Sequence, residues 1–495
     1  MTGSVIAIDD ASAADTLLSV KKRVFAANRK LHVHRQRLMH RSGPSGITPL
    51  ADHETLGNAG VAQDGSAELD VLLVAAKAAD LDPMLLEAAE NGRADDIAVL
   101  LDEGADIDFE DRDGWTALRL AAEKGNTDCV RLLVDGGADL ETEMNGHTAL
   151  LEAAEQGFTD CVQVLVEGGA DTEAEMSGDT ALMVAATKGY ADCVRLLVEG
   201  GADTEATDFR GETALNRAAE RGHTECVRLL VEGGADAEAA DFSGWTALYR
   251  AAERGHADCV RVLVGGGANM ECGIEMEDMS IECTALHCAA ERGHTECVRA
   301  LLEGGADKEA VMLISTTALV LAASKGHADC VRLLVEGGAN VEAHDFCGNN
   351  SLILATERGH SECVRWLVKG GANVQASIGG HSVLIRAIRR GHADCVRLLL
   401  EGGADKDATS KRGLTALGHA QKKGNQQIIA LLTAHGAAQS SRVSAARSTS
   451  DVTAAAPPTV HAAASHPLSS QVAAALEQEY QNQSESTCCG SCRCS

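Results

Sequence analysis

The stretch Gly222-His223-Thr224-Glu225-Cys226-Val227-Arg228-Leu229-Leu230-Val231 recurs, nearly unchanged, along most of this chain. Its cysteine falls at 129, 161, 193, 226, 259, 297, 330, 363 and 395. The glycine ahead of it falls at 125, 157, 189, 222, 255, 293, 326, 359 and 391, with Gly424 one period further on. The steps are 32 or 33 residues, apart from one of 38. A second string, Gly211-Glu212-Thr213-Ala214-Leu215-Asn216-Arg217-Ala218-Ala219, lies just upstream, and a third, Gly233-Gly234-Ala235-Asp236, just downstream. A period of this length marks a stack of small units rather than one compact core. Ten copies run from Asp111 to Ala437, and an atypical copy starting at Asp82 makes eleven.

Each unit reads as two short helices. In the first copy Asp82-Pro83 reads as a capping acid before a proline at the first helical position. Later copies put Thr at the cap, as in Thr213. Gly222 and its equivalents suit the left-handed conformation that ends a helix. Cys226, Val227, Leu229 and Leu230 form an apolar stripe on the second helix, with Arg228 pointing outward. Gly-Gly-Ala-Asp then stops the helix and opens a turn. No unit could bury its stripe alone, so neighbours must stack. The ends suit a capped stack: Asp96 takes the cysteine position in the first copy, and the last copy, Lys411 to Gly436, carries Lys422 and Lys423.

With these strings in place, the units resemble ankyrin repeats, whose 33-residue pattern includes Thr-Pro-Leu-His, Gly-His and a Gly-Ala-Asp turn. The resemblance covers residues 82 to 437. Ala117, Ala149 and Ala181 stand where the family has proline, and the family's histidine in that string survives only at His287. It implies an all-α ankyrin-repeat solenoid of about eleven helix-turn-helix units with hairpin-like turns, flanked by flexible tails. It also implies a groove presented to protein partners.

Outside the stack the composition changes. Residues 1–65 lack the period and read as an irregular region with a basic arm. Residues 66–81 read as one helix leading into the array. Residues 438–495 read as a flexible tail, rich in Ser, Ala, Thr and Pro up to residue 470, with a weak helix from Gln471 to Gln481 and a terminal cysteine cluster.

The charge is concentrated in the repeats. The chain has 495 residues and a net charge of -30. Residues 83–437 hold 59 acidic and 31 basic side chains. That balance excludes a general nucleic-acid binder, which needs a basic face, and reads as a means of keeping a long rod soluble. Only twelve aromatic residues argue against a large compact core. No apolar run approaches the ~20 residues of a membrane span, and no secretory signal is visible. Seventeen cysteines in such a chain point to reduced thiols in a cytosolic or nuclear setting.

The candidate sites are few. Equivalent thiols on stacked helices lie ~8–10 Å apart, too far for a disulfide, so the periodic cysteines read as small buried hydrophobes. His223, His256, His294, His327, His360 and His392 read as hydrogen-bonding turn groups. No His-Glu-x-x-His, Gly-x-Ser-x-Gly or P-loop occurs, so no catalytic, metal or cofactor site is expected. Cys488, Cys489, Cys492 and Cys494 are candidates for lipidation or metal capture. Lys21, Lys22, Arg23, Arg29, Lys30, Arg35, Arg37 and Arg41 could serve nuclear import, bind anionic lipid or fold back on the acidic stack.

The partner-binding candidates are Phe209, Arg210, Arg217, Phe242, Trp245, Tyr249 and Arg250, since aromatic residues and Arg dominate binding hot spots. They predict one patch, with the three arginines flanking the rings, that holds an extended peptide or helix. Trp245 is its expected anchor, Glu357 a neutral control. Beside it the turn from Asn269 to Cys283 is lengthened and carries Glu271, Glu275, Glu277 and Asp278. The C-terminal repeats are more basic, with Arg358, Arg389, Arg390, Lys422 and Lys423, and suit an acidic partner. The leading expectation is a monomeric, non-enzymatic interaction scaffold or adaptor. The alternatives are an adaptor tethered to membrane through the cysteine tail, and a regulatory subunit of an enzyme complex.

Overall fold

The computed structural model describes residues 36–41, 47–49, 70–73 and 78–436, apart from 144–145, 273, 277–278, 282, 313–314 and 346. Among these residues are 22 helices, nearly all of eight or nine residues. Helices this short are unstable alone. First helices pack against the first helices of adjoining repeats and second helices against second, giving one apolar core from Leu81 to Leu432. The architecture is the all-α repeat stack that the resemblance implies.

The repeat around residue 222 shows how local signals set the helices. Thr213 Oγ1 accepts the Asn216 amide at 3.3 Å and starts helix Ala214–Arg221. Gly222, at φ +79°, ends it, and the second helix runs Thr224–Glu232. The Gly-His pair then joins repeats. The His256 ring of the next repeat lies against Gly222, and its Nε2 donates to the Glu220 carbonyl at 3.0 Å. That carbonyl lies in the last turn of its helix and has no partner within it. His223, His294, His327, His360 and His392 make the same bond, to the carbonyls of Thr187, Glu253, Glu291, Ser324 and Glu357, at 2.9 to 3.2 Å. Phe158 and Tyr190 fill the equivalent place in earlier repeats.

The acidity has a structural use beyond solubility. In the Gly-Gly-Ala-Asp turns, Asp171 accepts the amide of Glu173, and Glu173 accepts the amide of Asp203 in the next repeat, both at 2.9 Å. Asp203, Glu205, Asp236 and Glu238 continue the pattern. The run begins at Asp82, whose carboxylate takes the Asp106 amide at 2.9 Å, and ends at Asp405, which takes the amide of Asp407. Carboxylate-to-amide bonds are among the stronger hydrogen bonds, and here they tie each turn to the next.

Two expectations need correcting. Asp82 does not cap a helix: it is the first rung of this ladder, and its helix already begins at Ala78 and runs to Glu90 with Pro83 inside. Nor do residues 66–81 form one lead-in helix. Asp70–Leu73 is a strand, antiparallel to Gln36–Arg41, which also pairs with Ile47–Pro49 in the stretch expected to be irregular. A short apolar run such as Val71-Leu72-Leu73 fits strand or helix equally well, and a pairing partner decides between them. The extra residues after Asn269 form a hairpin, Ile274–Met276 against Met279–Ile281. The rest of the N-terminal region and the whole of 437–495 lie outside the described residues.

The nine periodic cysteines are at most 1% exposed. Burial, and secondarily Glu225, pushes the Cys226 thiol up to about 11. Thiolate is the reactive form, so these side chains should resist alkylation at pH 8 in the native state. Cys347, exposed in its turn, should be modified at least a hundredfold faster. Peptide mapping by mass spectrometry after timed iodoacetamide treatment checks this. Similar rates at Cys347 and Cys226 would contradict a stably closed core.

Candidate partner-binding surface

The two aromatic turns share the sequence Asp-Phe-x-Gly: Asp208-Phe209-Arg210-Gly211 and Asp241-Phe242-Ser243-Gly244. Each Asp builds its turn from within. Asp208 Oδ1 accepts the amides of Arg210 and Glu212 at 2.8 Å, and Asp241 Oδ1 those of Ser243 and Trp245 at 2.8 and 3.0 Å. With the Asp holding the backbone, the following Phe is turned outward. Phe209 is 69% exposed and Phe242 81%. The two turns are stitched together, since the Phe242 amide donates to the Arg210 carbonyl at 3.0 Å. The Arg210 guanidinium lies 5.3 Å from the centre of the Phe209 ring.

Behind the turns sits an ionic network that the sequence reading missed. Arg217, with a side chain only 12% exposed, bonds Asp179 at 2.5 and 2.9 Å and Asp208 at 2.7 Å. Arg250, equally buried, bonds Asp241 and Glu212 and lies 4.3 Å over the Trp245 ring. The second oxygen of each turn Asp thus anchors the turn to the first helix of its own repeat. Burial alone would raise the Asp208 carboxyl. The Arg217 bond and the amides of Glu212 and Arg210 outweigh it and hold the group below the usual carboxylate range. Glu212 moves the other way: burial raises it more than Arg250 lowers it.

The structure therefore divides the predicted patch. Phe209, Arg210 and Phe242 form its exposed front. Trp245 and Tyr249 are half-buried behind it, ring centres 5.2 Å apart, with the Tyr249 hydroxyl 4.0 Å from Cys283 Sγ. Arg217 and Arg250 do not flank the rings as open cations, because carboxylates surround both. Trp245 is a wall residue and Glu357 is held by Arg386, so neither is a clean probe. The missed signal was the pair of aspartates, which precede both phenylalanines and lie nine residues before Arg217 and Arg250.

Elsewhere, ligating atoms of His147, Glu152 and Glu155 lie within 4.8 Å of one another. The buried Arg119, 3.2 Å from Glu152, already supplies that carboxylate with a cation. Cys488, Cys489, Cys492 and Cys494 lie outside the described residues, as does most of the basic arm. No helix among the described residues is long and apolar enough to cross a membrane.

A family model described as ankyrin repeats (3 copies) matches overlapping segments that run from residue 85 to residue 444. No curated protein matches the chain. Similar solved structures include an ankyrin repeat domain from Acinetobacter baumannii AYE. It is 31% identical over 38% of this chain and 98% of that one, with a TM-score of 0.36.

Proposed function

This chain belongs to the ankyrin-repeat family, and we propose that it is a non-enzymatic scaffold or adaptor in the cytoplasm. Ankyrin repeats are in general protein-interaction modules. In our reading the partner engages the turns at Phe209, Arg210 and Phe242, with Trp245 and Tyr249 as the wall behind. One observation carries this: two adjacent phenylalanine rings stand mostly in solvent on turns pinned from behind by Asp–Arg pairs. Exposed rings on a fixed backbone offer large apolar area at little ordering cost. An extended peptide or a helix with apolar anchors fits such a row.

Phe242→Ala is the cleaner probe, because its ring is 81% exposed and rests only on the Gly211 turn of the preceding repeat. Affinity capture with the full chain would supply a partner, and calorimetry the affinities. Phe242→Ala should weaken binding by ~2 kcal/mol, about thirtyfold, with an unchanged melting temperature. A Glu199→Gln control on an exposed second-helix position should do nothing. Trp245→Ala should lower both affinity and melting temperature, because Arg250 loses its stacking partner. Full affinity in both Phe209→Ala and Phe242→Ala would move the partner to another face.

A further inference from the structure

Near the end of several first helices, an acid of one repeat meets a base of the next. Glu155 pairs with Lys188, Glu220 with Arg254, Glu253 with Arg292 and Glu291 with Lys325, at 2.5 to 3.8 Å. These four bases each have a carboxylate, whereas Arg221 and Arg358 face repeats with Thr187 and Ser324 at the acid position, and Arg358 donates to the Ser324 carbonyl at 2.7 Å. In the last two repeats the acid position itself turns basic. The acid position is Arg389 in helix Val383–Arg390 and Lys422 in helix Ala416–Lys423, followed by Arg390 and Lys423.

The turns change in the same place. Lys411 and Arg412 occupy the positions that Phe209 and Arg210 hold in their turn, and the Lys411 amide donates to the Gly380 carbonyl at 3.3 Å, as Phe242 does to Arg210. The carboxylate ladder also loses charge: Asn373 and Gln375 take the places of Asp and Glu while keeping the same amide bonds. The chain has no acidic residue between Glu362 and Asp394, and none from 408 to 450.

Arg389, Arg390, Lys411, Arg412, Lys422 and Lys423 are all exposed, and among the described residues none forms an ion pair. Between them lie His381 and His419, edge to face at 6.4 Å. His381 Nδ1 and His419 Nε2 are buried and make no hydrogen bond. Burial lowers the pKa of both rings. Arg389, Arg386, Lys411 and Arg412 then add to the effect on His381, and Arg389, His381 and Lys422 to that on His419. Arg389, Lys411, Arg412 and Lys422 thus act on one small region. Like charges held together without counter-charge disfavour the folded state, and a bound anion would relieve that.

We propose that this face of the last two repeats binds a short acidic peptide segment of a partner protein, whose carboxylates meet the six cations. Two repeats at ~8–10 Å each span roughly 20 Å, which an extended peptide covers with about six residues. A nucleic acid or a lipid surface would run on past the patch. Either would meet repeats whose turns are lined with carboxylates, which repel it. The surface lies four and five repeats beyond Phe242 and differs from it in chemistry, so the two sites stand or fall separately.

The test uses the full chain and a fluorescein-labelled octaglutamate peptide, read by anisotropy at low and physiological salt. The wild type should bind the peptide with an affinity that falls as salt rises. Charge reversal at Arg389→Glu with Lys422→Glu should weaken binding at least tenfold, as should Lys411→Ala with Arg412→Ala, which changes only side chains in the turn. Arg131→Glu, on an exposed second-helix position, should have no effect, and neither should Phe242→Ala. Absence of peptide binding, or binding that survives both double variants, overturns the proposal. So does tighter binding of a labelled single-stranded DNA octamer or of phosphatidylserine vesicles that the same variants abolish. That result would assign the patch to nucleic acid or to membrane.

Discussion

Arg217→Ala lowers the stability of the array by about 3 kcal/mol, the expected cost of removing one partner from a largely buried charge network. Its guanidinium touches Asp179 and Asp208 and lies 3.8 Å from Glu212. Without it Asp208, whose side chain is 2% exposed, is left in the core with no cation. Asp208 also holds the amides that shape the Phe209 turn, so the loss spreads to the neighbouring interface. The sign of the pH dependence follows from its depressed pKa. Its contribution is full above the unfolded carboxylate value, about 4, and is lost as pH falls through the folded value. Urea unfolding of wild type and variant should therefore differ most near pH 7 and converge as pH falls below the unfolded carboxylate value. Arg217→Lys should recover less than half, since an ammonium cannot bridge two carboxylates with a planar fork. A loss below ~1 kcal/mol at pH 7, or a gap that does not narrow in acid, would mean that the network is not a principal support of the turn.

Gly222→Ala is expected to cost about 3 kcal/mol by a different route. At φ +79° a Cβ costs ~1–2 kcal/mol in backbone strain. It would also lie 2.5 Å from His256 Nδ1 and 2.7 Å from Cε1. The ring would have to move and would lose its bond to the Glu220 carbonyl. The two terms are separable. Gly234 has φ +94° with nothing within 4 Å of a built Cβ, so Gly234→Ala should cost the strain alone. In the double variant Gly222→Ala with His256→Ala the clash is gone, and its cost should fall short of the sum of the single changes by ~1 kcal/mol. Strict additivity in urea unfolding would show that the ring does not pack on the helix end.

By itself the sequence determined the period, the two helices per unit, the threonine caps, the glycine ends, the buried cysteines and the structural use of the Gly-His histidines. These features are short-range and were written many times over, so one unit checks another. It also marked Phe209, Phe242 and the basic C-terminal repeats as unusual. Tertiary structure alone decided which marked residues are available. Arg210 and Arg217 are the same residue type seven positions apart, yet one is exposed and the other is closed in by Asp179, 38 residues away. Trp245 and Phe242 are neighbouring aromatics, but an arginine covers one and the other stands in solvent. Asp82 could cap a helix or take an amide 24 residues on, and the stacked turn made the second choice. The strand at Asp70–Leu73 likewise needed a partner more than 30 residues upstream. The reason is physical. A cap or a left-handed glycine depends on its own few residues, whereas burial, pairing and exposure depend on what stacking brings alongside.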